Sequence, residues 1–139
     1  MKKIIYLILF FNILSFVAYS QDSTQQNDEK IEAPSNQNQF QSLPLFIGGP
    51  SAYEKFLSNN IHYPEKAIKD KIEGRAVVGL VVEKDGSLSN FKLQRDPGAG
   101  LGEEAIRVLK LSPKWSTGKK NNRTVRTQIW VFVNFTLPN

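Results

Sequence analysis

The chain has 139 residues, 40% hydrophobic and 22% charged, with no cysteine and a formal net charge of +5. That length suits one small domain with appendages, and the missing thiols exclude a disulfide framework and any thiolate metal site. Removing residues 1–20 takes away Lys2 and Lys3 and no acid, so the charge falls from +5 to +3, which gives a nucleic-acid role little compositional support.

Met1 to Ser20 has the layout of a secretory signal. Lys2 and Lys3 precede the apolar run Ile4 to Val17, and Ala18-Tyr19-Ser20 supplies a small-x-small cleavage pattern before Gln21. The run falls short of the roughly 20 apolar residues of a spanning helix, and Asn12 and Ser15 interrupt it. The expectation is export with cleavage and no membrane insertion afterwards; the alternative is a retained anchor. Residues 21–43 are rich in Gln, Asn, Ser and Asp, and Ile31, Phe40 and Leu43 are too few apolar groups to offset the entropy of ordering them. This reads as a flexible polar linker reaching about 80 Å when extended.

The folded domain is expected over residues 44–139. Pro44 to Pro50 is a compact apolar cluster closed by Gly48-Gly49, and Ser51 is the expected N-cap of a helix. Tyr53, Phe56, Leu57 and Ile61 share one face of it at helical spacing, and Asn59-Asn60 ends it. Tyr63-Pro64 opens a second short helix with Ala67, Ile68 and Ile72 on its apolar side. The organising stretch is Glu73 to Leu88. Within it Arg75 to Lys84 predicts a central strand, because β-branched Val77, Val78, Val81 and Val82 suit a pleated surface. Apolar residues on both alternating sets imply that both sheet faces are at least partly covered. Lys84 to Ser87 then turns the chain at Gly86.

Leu88 to Arg95 predicts a second strand, with Phe91 and Leu93 alternating with Lys92 and Gln94. After the Asp96 to Gly100 turn, Leu101, Ala105, Val108 and Leu109 line one face of a helix that Ser112-Pro113 stops. Glu103 and Glu104 suit its N-terminal end. Ser116 to Arg123 is expected to be a polar, basic loop. Thr124 to Leu137 predicts one long final strand, with Val125, Thr127, Ile129, Val131, Val133 and Phe135 on one face and Arg126, Gln128, Trp130, Phe132 and Asn134 on the other. The order α-α-β-β-α-β gives an α+β fold, a three-stranded antiparallel sheet packed against helices on one face.

No constellation for catalysis emerges, so the expectation is a non-enzyme without cofactor or metal. His62 is the only histidine and has the place of a surface or capping residue. Glu103 and Glu104 diverge around the helix and cannot share a substrate, and Asp85-Gly86-Ser87 lacks the repeated oxygen ligands of a calcium loop. Trp115, beside its proline, reads as core; Trp130 lies opposite the Val/Ile row.

Taken in succession, Pro44 to Gly49, Tyr53 to Leu57, Tyr63 to Ala67, Ile72-Glu73-Gly74, Val81 to Gly86, Gly102 to Ala105, Pro113-Lys114-Trp115 and Val131 to Phe135 resemble the C-terminal domain of TonB energy transducers, in its Bacteroidetes-type form. The resemblance spans residues 44–137. It implies a periplasmic domain that supports energy-coupled transport by binding an extended peptide of a TonB-dependent outer-membrane receptor, or of a related envelope protein, through strand addition. It also implies that the last strand is an edge, with Tyr63, Pro64, Thr124, Arg126, Gln128, Trp130 and Phe132 as partner-binding residues. The alternative is an envelope scaffold, a homodimerising module or a cell-wall binder without a transport role; a retained anchor would place it on the inner membrane facing the periplasm. The chain departs from the family in three ways: no histidine in the N-terminal apolar segment, no long Pro-rich spacer, and Thr117 where the family often has proline.

Overall fold

A computed structural model describes residues 30–31 and 39–139 of the chain. The expected signal segment, and most of the expected linker, lie outside the described residues.

The centre is β1 (Gly74–Val82), flanked by β2 (Leu88–Arg95) and by β5 (Thr127–Phe135) in a three-stranded antiparallel sheet of order β2-β1-β5. Alternation along β1 sends Ala76, Val78, Leu80 and Val82 to one face, where they are buried with Val131, Val133 and Phe135 of β5. The helices cover this face only. From α1 (Gly49–Asn60) comes Leu57, from α2 (Glu65–Lys69) Ala67, and from α3 (Leu101–Lys110) Leu101, Ala105, Val108 and Leu109, all in the same core. Among the described residues the opposite face carries no helix. Gly79 and Val81 are nonetheless buried there, and Val77 is half-buried, beneath the side chains of the flanking strands.

The hairpin between β1 and β2 turns as expected. Gly86 has φ +85°, and a Cβ there would collide with the Trp115 carbonyl, so glycine is required twice over. Asp85 Oδ1 accepts from the Ser87 N–H (2.9 Å) and hydroxyl (2.6 Å), which holds its carboxyl down at about 2.

Five details depart from the sequence reading. Helix α1 starts earlier, with Gly48 in the left-handed region at its N-cap and no side-chain cap, so Ser51 lies inside the first turn. Pro64 is the N-cap of α2 rather than a helical residue, and Ile68 is exposed. The basic loop is ordered: β3 (Gly118–Lys120) and β4 (Arg123–Val125) form a hairpin around Asn121 and Asn122, whose φ values of 52° and 59° suit a tight turn. The long final strand is therefore broken at Arg126, which divides β4 from β5. Gln41 and Ser42, placed in the linker by composition, hydrogen-bond with Lys119 of β3, and Leu45 and Ser116 exchange main-chain and side-chain bonds.

Candidate functional site

One bond and the register fix the direction of the β5 main chain. Glu83 donates its N–H to the Ser87 carbonyl on the β2 side of β1, so alternate β1 residues from Val82 back to Gly74 face β5. Register along β1 and β5 is unbroken over nine pairs. The inward pairs are then Ile129, Val131, Val133 and Phe135, and the N–H and C=O groups of Gln128, Trp130, Phe132 and Asn134 point away from the sheet. On that outward row the Phe132 carbonyl accepts from the Tyr53 hydroxyl at 3.1 Å.

That outward row faces a groove of about 950 Å³. One wall is α1, which presents Tyr53, Glu54, Leu57, Ser58 and Ile61 at helical spacing; the other is the edge from Trp130 to Phe135; Tyr63 and residues 136–139 close the end. Packing of α1 beside the edge has an aromatic cause. Phe46 sits 5.4 Å from Tyr53, 5.5 Å from Phe56 and 5.7 Å from Trp115, and Tyr53 meets Trp115 edge-on at 5.8 Å. Trp115 is buried, as expected of core, and its indole N–H donates to Ser112. Burial pushes the Tyr53 hydroxyl well above the ordinary tyrosine range, so it stays a neutral donor.

The far end of the groove is set by a buried acid. Glu104 accepts from the His62 main-chain N–H (2.6 Å) and from Arg107 (2.7 Å), while Arg107 also reaches the Asn60 carbonyl (2.6 Å). Burial opposes ionisation of Glu104, but the Arg107 guanidinium and the His62 N–H outweigh it and hold the carboxyl below its ordinary value. These bonds tie the link between α1 and α2 to α3. Tyr63 follows, edge-on to Phe135 at 6.0 Å with its hydroxyl on the Ile72 carbonyl.

The structure brings Tyr63, Trp130 and Phe132 together around the groove. Trp130 and Phe132 are 48% and 50% exposed on the uncovered sheet face, with the Arg75 guanidinium 5.3 Å above the Phe132 ring. Gln128 lies on the same outward row, half-buried opposite Val81. Pro64 faces a smaller hollow with His62, Gly100 and Arg107. Thr124 pairs with Lys119 in the hairpin, and Arg126 is held by Glu83 at 2.6 Å, so these two stand off the free edge. The α1 wall was missed as a site, because its apolar spacing is what a core helix also shows. Its only signal was a tyrosine, an aromatic with a donor at its tip, on that apolar face.

Among the described residues no group of three or more histidine or acidic side chains could hold a metal, and no helix is long and apolar enough to cross a membrane. A family model described as Gram-negative bacterial TonB protein C-terminal matches residues 59–137. Two solution structures of the Helicobacter pylori TonB C-terminal domain are similar to the chain at 22% identity. That of residues 179-285 aligns over 61% of this chain and 78% of its own, with a TM-score of 0.40. That of residues 194-285 aligns over 60% and 90%, with a TM-score of 0.39. No curated protein matches.

Proposed function

The chain belongs to the Gram-negative bacterial TonB protein C-terminal family, and from that premise we propose that it captures an extended peptide of a TonB-dependent outer-membrane receptor, or of a related envelope protein, as an added strand on β5. Domains of this family are periplasmic, non-enzymatic protein-interaction modules of energy transduction. The observation that supports this mode of capture is the outward main-chain row of Trp130, Phe132 and Asn134, bordering a groove that an extended chain can enter. Main-chain pairing supplies affinity for any sequence, and the exposed rings of Trp130 and Phe132 supply contacts for alternate side chains of the incoming strand. Tyr63 stands at the end of the groove, and Gln128 extends the row beyond it.

Proline at Asn134 tests the reading. Its missing N–H and its ring block an incoming strand, while the ladder to β1 uses the neighbouring residues and survives. Asn134→Pro is expected to keep a cooperative melt and to weaken binding of a synthetic receptor N-terminal peptide at least tenfold. Asn134→Ala, which removes only the side-chain bond from Arg75, is expected to bind like the natural chain. Equal affinity of the proline variant contradicts strand addition at β5.

A further inference from the structure

Resting on the strand-addition reading, we infer that Tyr53 is a displaceable placeholder: its hydroxyl occupies the position on the Phe132 carbonyl that an N–H of the bound peptide takes. The distance of 3.1 Å is that of an adjoining donor, and the Phe132 carbonyl that it meets points away from β1. While the groove is empty, Tyr53 gives this edge carbonyl a protein donor where water would otherwise serve. The other groove-lining residues of α1 cannot supply one: Leu57 and Ile61 have no polar side chain, Glu54 only accepts, and Ser58 donates back to the Lys55 carbonyl at 3.0 Å.

The ring does not depend on this bond for its place. Phe46 and Trp115 pack on it at 5.4 and 5.8 Å, so Tyr53→Phe keeps the aromatic wall of the free chain. An incoming strand turns the side chain aside in either case but breaks a hydrogen bond only in the natural one. Binding of a strand then has two parts: the peptide N–H takes the Phe132 carbonyl, and the Tyr53 hydroxyl gives up a partner in half-buried surroundings. The second part opposes the first. Tyr53 therefore lowers the affinity for extended peptides and protects the edge from chance pairing, including with a second copy of the chain. It competes with the partner for the edge, from a helix whose apolar face otherwise reads as core.

Calorimetric titration of the full chain with a synthetic N-terminal peptide of a TonB-dependent receptor from the same genome tests this. Tyr53→Phe is expected to bind at least threefold tighter than the natural chain. Equal or weaker binding by Tyr53→Phe, with Asn134→Pro still abolishing binding, overturns the placeholder and leaves strand addition standing. Full binding by Asn134→Pro, or none by the natural chain, overturns both. A second reading needs no variant: in the natural chain the NMR signal of the Tyr53 carbon bearing the hydroxyl is expected to shift on saturation with peptide, and an unmoved signal overturns the placeholder even if Tyr53→Phe does not fold.

Discussion

The two edges of the sheet are built differently. β2 carries register irregularities against β1, between Val77 and Val78 and between Gly79 and Val81, and Asn90 sits at φ 52°. Its exposed side chains include Lys92, Gln94 and Arg95. Bulges and charges of this kind turn an edge away from further pairing. β5 has neither: its register is regular over nine pairs, no residue from Thr127 to Phe135 is charged, and two aromatic rings lie exposed on it. The contrast teaches that openness at β5 is a local choice of sequence. One edge is closed by geometry, the other borders a groove across which a hydroxyl on α1 reaches its main chain.

The layer beneath both edges is common to them, and removing it erases the contrast. Leu109 is fully buried in α3 against the sheet, so Leu109→Ala is expected to cost about 3 kcal/mol in urea denaturation through lost burial and a cavity. A next step acts on the link between α1 and α2. Glu104→Ala removes the acceptor that Arg107 and the His62 N–H share and is expected to cost about 2 kcal/mol, loosening the link that carries Tyr63.

The same acid makes the contrast pH-dependent. The carboxyls of Glu104 and Glu83 both sit below their ordinary value of 4.5 in the folded chain, Glu83 chiefly through the Arg126 guanidinium. A depressed folded value means stabilisation that is complete above the ordinary carboxylate range and is lost as pH falls through the folded one. The urea midpoint is thus expected to be flat from neutral pH down to about 5 and to drop below it, less steeply in Glu104→Gln. Smaller still are the surface changes. Trp130→Ala with Phe132→Ala is expected to weaken peptide binding about tenfold, roughly 1.4 kcal/mol, with little loss of stability, since both rings are half exposed. Lys119→Ala, on the exposed hairpin, is expected to shift stability by less than about 0.5 kcal/mol and binding not at all.

What the sequence disclosed tracks how strongly each segment is periodic. β1, β2 and α3 bury alternating or helically spaced apolar groups, and their expected bounds hold to within two residues. The β3–β4 hairpin has no such pattern: Gly118-Lys119-Lys120 pairs antiparallel with Arg123-Thr124-Val125 without a periodic apolar row, and the paired asparagines at its turn were the one legible sign. Continuous alternation from Thr124 to Leu137 hid the break at Arg126, because the side chain still points to the outer face, where Glu83 claims it. The site was half legible. Trp130 and Phe132 stood out as aromatics opposite an apolar row, whereas Tyr53 reaches the edge only through tertiary packing with Phe46 and Trp115.

Amide hydrogen exchange with and without the receptor peptide tests the difference between the edges most directly. With peptide at saturation, the outward amides of Trp130, Phe132 and Asn134 are expected to slow at least tenfold, while those of Ser89 to Arg95 keep their rates. Protection appearing along β2, or at neither edge while the peptide is bound, contradicts β5 as the open edge.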